Sequence, residues 1–227
     1  MLIECNDTIG NFLVNFGLAS LPKADEPKPK EDPKPTVPPA PQPRKNAGDT
    51  KTPDFVYLWE TCKINAEDEK YITSDCKKLL AHRSSYDKVS AVTKVPWYVI
   101  AVIHELESGA DFSTHLHNGD PLSARTRQVP KGRPVAGNPP FTWEESAIDA
   151  LGYDGAAGIK DWSIVATLKF LERYNGMGYR NHGIYSPYLW SCTNHYSKGK
   201  YVADGVWNAE AVSDQIGCAA LMKGLGV

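Results

Sequence analysis

The feature that most limits what this chain can fold into is the run VPWYVIAVIHELESG, residues 95–109. Trp97, Tyr98, Val99, Ile100, Ala101, Val102, Ile103 and Leu106 make it apolar almost all the way round. A helix apolar on every side belongs at the centre of a domain rather than on its surface. Pro96 suits the start of such a helix, where its missing N–H costs nothing, and Gly109 suits its stop. The helix nevertheless carries His104, Glu105 and Glu107 in its last turns. A carboxyl group is thus delivered to the C-terminal end of a buried helix. Directly after it, THLHNGDPLSART contains Asn118-Gly119, a strong two-residue turn signal, and a small β-hairpin is expected there.

The remainder reads as support for that helix. Phe55, Leu58, Trp59 and Cys62 recur at helical spacing, and a second helix is expected over 68–83 with Ile72, Cys76, Leu79 and Leu80 inward. Residues 86–95 lead into the central helix. Beyond the hairpin, KGRPVAGNPP is loop, and Thr142-Trp143-Glu144-Glu145 has the spacing of a capping box. That helix carries Ala147, Ile148 and Leu151, and another over 163–174 carries Ile164, Leu168 and Leu171. Residues 175–205 look irregular and rich in aromatics, and a last helix is expected over 209–223. The fold class is α+β, mainly helical, with a central buried helix and one small sheet.

Residues 1–21 form a short N-terminal segment of unknown role. Glu4 and Asp7 stand where a signal peptide wants a basic start, and Asn11 and Asn15 interrupt its apolar run. Residues 22–52 are proline and alternating charge with little to bury, an extended tether. The compact domain is expected to run over 53–227. A net charge of −2 and a pI near 6.3 give no reason to expect nucleic acid or an anionic membrane as partner. No run approaches the roughly 18 apolar residues of a membrane span. Five cysteines without a C-x-x-C pair read as mostly free thiols, although Cys62 and Cys76 lie in neighbouring helical segments.

Two metal readings fail or weaken on inspection. His104-Glu105 opens an H-E-x-x-H pattern, but position 108 is Ser. His115 and His117 share one face of an extended segment and, with Asp120 or Asp111, have the donor types for zinc. Histidines that hydrogen-bond within the sheet or line a polar cleft are the more ordinary arrangement, so no metal and no organic cofactor are expected.

Glu107 is the residue most suited to chemistry. Burial and the negative end of a helix dipole both disfavour its ionised form. A carboxylic acid that keeps its proton near neutral pH can protonate a leaving oxygen, the general-acid role in glycoside hydrolysis.

IHELESGADF followed by HLHNGDPLSARTRQVPKGRP resembles the lysozyme-like proteins among phage endolysins and bacterial peptidoglycan hydrolases. WEESAIDAL, ERYNG, YSPYLWSCTNHYSKGKYVADG and AVSDQIGCAAL extend the resemblance over about residues 86–221. The wider superfamily includes goose-type lysozymes and lytic transglycosylases. Its acid is a Glu followed by Ser at the end of the central helix, which selects Glu107-Ser108 over Glu105. Its Tyr-Asn pair matches Tyr174-Asn175. The resemblance implies a lysozyme-like domain and a muramidase that cuts the β-1,4 bond between MurNAc and GlcNAc, lysing bacteria. An inverting enzyme also needs a base across the cleft, for which Asp120 or Asp111 is available. A lytic transglycosylase, forming 1,6-anhydro-MurNAc, needs none. A cell-wall-binding or virion protein that kept the fold without catalysis is the non-enzymatic alternative. His117, Arg125, Thr126, Tyr174, Asn175, Tyr179 and Tyr188 are the candidate sugar contacts. The expected partner is peptidoglycan, met by a monomer made in the host cytoplasm and acting in the periplasm by an unspecified route.

Overall fold

The computed structural model describes residues 49–227, so the expectations for residues 1–48 lie outside it. The described residues are mainly helical with one two-stranded antiparallel sheet. Eight α-helices appear among them: α1 (Phe55–Thr61), α2 (Glu69–Ala81), α3 (Arg83–Thr93), α4 (Trp97–Ser108), α5 (Trp143–Tyr153), α6 (Ile164–Asn175), α7 (Pro187–Trp190) and α8 (Cys218–Gly224). Short 3-10 turns cover Ala156–Gly158 and Gly178–His182. The strands are β1 (Lys200–Ala203) and β2 (Val206–Asn208).

α4 is the central element, as its composition requires. Val99 through Ile103 are fully buried, and the helix lies against α3 and α8. Pro96 caps its start and Gly109, at φ 61°, ends it. The Gly109 N–H bonds the Glu105 carbonyl and the Ala110 N–H reaches back to His104, so the last turn leaves two fewer orphan carbonyls. Gln215 donates its side-chain amide to the Leu106 carbonyl, closing a third.

Around α4, burial follows the expected stripes: Ile72, Cys76 and Leu79 on α2, Ala147 and Leu151 on α5, Leu168 and Leu171 on α6. Leu80 departs from the expectation and is exposed. The Thr142–Glu145 capping box is complete, each side chain bonding the other's backbone N–H. Residues 86–95, expected only to lead into the central helix, are mostly helical themselves: α3 runs over Arg83–Thr93 and buries Tyr86, Val89 and Thr93. Cys62, Cys76, Cys192 and Cys218 are free thiols.

Two expectations are corrected. The hairpin forms not at Asn118-Gly119 but at Asp204-Gly205, between β1 and β2, with Tyr201 opposite Trp207. Around Asn118 only an isolated bridge between Thr114 and Pro121 is made. Its two bonds run from the His115 N–H to the Asp120 carbonyl and from the Leu122 N–H to the Ser113 carbonyl. The helix expected over 209–223 begins only at Cys218. The Asn208 side chain accepts from the N–H groups of Glu210 and Ala211, and the Tyr196 hydroxyl accepts from that of Ser213. Those bonds tie the segment to the hairpin instead of to a helix.

His104 shows how firmly the centre is closed. Its ring is fully buried among Tyr86, Phe112 and Trp143, with Nδ1 3.1 Å from the Tyr86 hydroxyl and Nε2 3.2 Å from the Asp111 carbonyl. Burial pushes its pKa down to about 4 from 6.5, outweighing the Asp111 carbonyl and charge, which pull it up. Between these values the unfolded chain binds a proton that the folded chain refuses. Stability is therefore full above pH 6.5 and falls as the pH drops toward 4, by about 3 kcal/mol from this residue. In a pH titration by NMR the His104 ring should stay neutral at pH 5.5; titration near 6.5 would contradict its placement.

Candidate active site

The two carboxylates at the end of α4 have opposite surroundings. Glu105 is largely buried and paired with Lys78 at 2.9 Å, and the same ammonium bonds the Gly109 carbonyl at 2.6 Å. It is a charged brace between α2 and the end of α4. Glu107 opens to solvent on one side and accepts a 3.0 Å hydrogen bond from the Tyr188 hydroxyl. No cation is among the groups that set its ionisation. Desolvation by the crowded protein raises its pKa, the Tyr188 bond opposes this, and the charge of Asp154 adds to the rise. The net effect is a raised pKa, so Glu107 holds its proton to higher pH than an ordinary glutamate.

The groups around it are neutral donors. Tyr188, on the short helix α7, is buried, and its hydroxyl is pushed well above its ordinary range by burial, with Cys218 and Glu107 adding. Tyr174, near the end of α6, is also raised, by burial first and then by the charges of Glu107 and Asp154. Cys218, at the start of α8, is wholly buried and its thiol is likewise raised. Each stays protonated across the physiological range, and Tyr188 already donates toward Glu107.

Two cavities flank the C-terminal end of α6. One, of about 520 Å³, is lined by Asn175, Tyr179, Tyr188, Lys200, Tyr201 and Gln215. The other, of about 570 Å³, is lined by Asp154, Gly155, Ile159, Phe170, Arg173 and Tyr174. Tyr188 lines the first and touches Glu107; Tyr174 lines the second and senses both Glu107 and Asp154. Beyond the first cavity, Tyr179, Tyr201 and Trp207 pack edge-to-face, and His182 stacks on Trp207 at 3.7 Å.

The structure thus gathers Glu107, Tyr174, Asn175, Tyr179 and Tyr188. The other expected site residues serve the loop between α4 and α5. Asp120 accepts the N–H groups of Arg127 and Gln128 at 2.7 and 3.0 Å, and these bonds hold its carboxyl below the usual range. Asp111 accepts both the N–H and the hydroxyl of Ser113. The His117 side chain is fully buried and bonds Asp149 at 2.8 Å, and Arg133 pairs with the same carboxylate. Thr126 is buried, accepting from the Arg133 N–H and donating to the Pro130 carbonyl; Arg125 donates to the Gly137 carbonyl at 2.7 Å. His115 bridges Ser146 and the Ala124 carbonyl, both at 2.8 Å. None of these residues lines either cavity. They fold a long loop against α5 by supplying its backbone with partners that no ladder provides.

Asp154, Tyr201 and Gln215 line the cavities without having been singled out by the sequence. Asp154 caps the end of α5, an ordinary place for an Asp, and only tertiary packing brings it near Tyr174. Desolvation raises its pKa, with the Arg133 guanidinium pulling the other way. Among the described residues no three His, Cys, Asp or Glu side chains are grouped so as to hold a metal ion, and no helix is long and apolar enough to cross a membrane. Comparison of the chain with protein-family models, with curated proteins and with solved structures finds no match.

Proposed function

We propose that this chain is a lysozyme-like glycosidase that cleaves the MurNAc–GlcNAc bond of peptidoglycan, with Glu107 as the general acid. The observation that carries the reading is the environment of Glu107: a carboxyl at the end of a buried helix, without a cation, hydrogen-bonded to Tyr188 of one polar cavity and electrostatically coupled to Asp154 and Tyr174 of the other. Glycosidic oxygen is a poor leaving group unless it is protonated as the bond breaks, and a carboxyl with a raised pKa is suited to supply that proton. Tyr188 donates to one oxygen and leaves the other available for the proton to be transferred. Tyr174, Asn175, Tyr179 and Tyr201 offer the hydroxyl and amide groups that hold sugars.

For attack by water a second carboxylate is required, and Asp154 takes the role first expected of Asp120. It faces the cavity shared with Tyr174, and its charge reaches Glu107, whereas the Asp120 carboxylate is occupied by backbone donors. The engaged state of Asp120 also favours a second reading, a lytic transglycosylase whose sugar attacks itself and which uses no base.

Release of soluble fragments from purified sacculi separates these roles. Asp154→Asn should slow release by about 10²-fold or more, as loss of a general base does. Asp120→Asn should act through stability, with the folded enzyme retaining most of its rate. The reverse order would return the base to Asp120. Full activity in both variants would favour the transglycosylase.

A further inference from the structure

We infer that a third groove, beside the Asp154 cavity, is a subsite for the acidic peptide stem that peptidoglycan carries on its muramic acid; the inference rests on the peptidoglycan reading above. This groove, of about 520 Å³, shares Ile159 and Arg173 with the Asp154 cavity, so the two adjoin along α6. Its lining combines apolar surface from Phe55, Ile159 and Met177 with cationic groups at its edge.

The charge balance decides which ligand fits. Arg180 and Glu172 cancel: Nε donates to Oε1 at 3.1 Å, Nη2 to Oε2, and Nη1 is spent on the Lys51 carbonyl at 3.0 Å. That leaves three exposed cations, Lys51, Lys169 and Arg173, which make no ion pair among the described residues. Against them stand Asp161 in the lining, whose carboxylate already accepts from the N–H and hydroxyl of Ser163, and Asp49, which offsets part of the Lys51 charge; the balance stays positive. An apolar floor under a net positive rim suits a ligand of short aliphatic side chains bearing several carboxylates. The stem peptide, built of alanine, isoglutamate and a diamino acid, is such a ligand. A neutral glycan such as chitin is not. Since the stem hangs from alternate sugars, a strand lying over Glu107 has one available to an adjoining groove.

The test uses the full-length protein and two independent readouts. In a ¹⁵N NMR titration the free tetrapeptide stem, carrying no sugar, should shift the amides of Ala166, Lys169 and Met177, and added salt should weaken binding. In rate measurements on intact sacculi and on glycan strands stripped of peptide by an amidase, Lys169→Glu should slow the first by about 5-fold and leave the second unchanged. Lys169 is exposed and in no ion pair among the described residues, so the substitution should leave the fold intact, which the variant's melting temperature checks. A stem that shifts no groove amide overturns the inference, as does a variant that slows both substrates equally or neither. Binding here by a synthetic peptide of residues 22–48 in place of the stem would assign the groove to the chain's own N-terminal region, and also overturns it. A protein that turns over neither substrate sinks the glycosidase reading alone, and the titration then decides the groove by itself.

Discussion

Replacing Glu107 by Gln should reduce peptidoglycan turnover by at least about 10²–10⁴-fold while the protein melts no lower than wild type. The amide keeps the shape of the carboxyl and still accepts from Tyr188, but it has no proton to give to a leaving oxygen. Because the folded pKa of Glu107 is raised above its unfolded value, the ionised form is penalised in the native state at neutral pH. A neutral amide removes that penalty, so stability holds or rises slightly. By the same sign, the wild-type rate should fall as the pH climbs through the raised pKa. Glu105→Gln is the control. It breaks the pair with Lys78 and costs some stability, but leaves the folded enzyme active. Rates from the two variants, measured on equal amounts of folded protein, check the assignment. Loss of activity in Glu105→Gln with a silent Glu107→Gln would transfer the acid to the other face of the helix.

The second large effect is expected at Gly217, which holds the site together without touching it. Gly217 sits where α8 begins against α7, and its N–H bonds the Ser191 carbonyl at 3.1 Å. Its backbone angles are ordinary, so conformation does not require glycine there. Space does. A Cβ would lie 2.6 Å from the Leu189 carbonyl oxygen and 2.6 Å from the Ser191 nitrogen, both backbone atoms that cannot step aside. Gly217→Ala should therefore cost about 3 kcal/mol, at the upper end for overpacking, and lower Tm by about 6–12 °C in a domain of this size. The relaxation must push α7 away from α8, and Tyr188 rides on α7, so the folded variant should also lose activity at low temperature. A thermal melt within 2 °C of wild type, on a scale of about 2–4 °C per kcal/mol, would show that the contact is looser than described.

Local patterns in the chain account for much of this architecture. The apolar run of α4, the Thr142–Glu145 box and the stripes of α2, α5 and α6 were legible because each is decided within a few residues. The hairpin was not. Asn118-Gly119 and Asp204-Gly205 carry the same turn chemistry, and what separates them is the flanks. Asp120 and Pro121, both poor strand formers, follow the first, while Tyr201, Val202, Val206 and Trp207 flank the second with residues that suit strands. α3 is faint in the sequence although Tyr86, Val89 and Thr93 mark its buried face, because Ser, Asp and Lys dilute the pattern.

The site divides along the same line. Glu107 could be picked out because a carboxyl at the end of a buried helix is conspicuous in one dimension. The polar residues after it could not be sorted. A histidine that bonds a neighbouring carboxylate, as His117 bonds Asp149, looks in sequence like one that would hold a sugar, and an Asp that binds two backbone N–H groups looks like a base. Asp154 and Gln215 come from α5 and the segment before α8, and only the packing of these against α6 and α4 places them by the cleft.

The most direct test of the account is mass spectrometry of the products released from purified peptidoglycan by the wild-type protein. Cleavage assisted by Glu107 and a water held by Asp154 predicts muropeptides that end in reducing MurNAc, and none above background from Glu107→Gln. Products that end in 1,6-anhydro-MurNAc would keep Glu107 as the acid and remove Asp154 as the base. Intact glycan after digestion with folded wild-type protein would contradict the central claim.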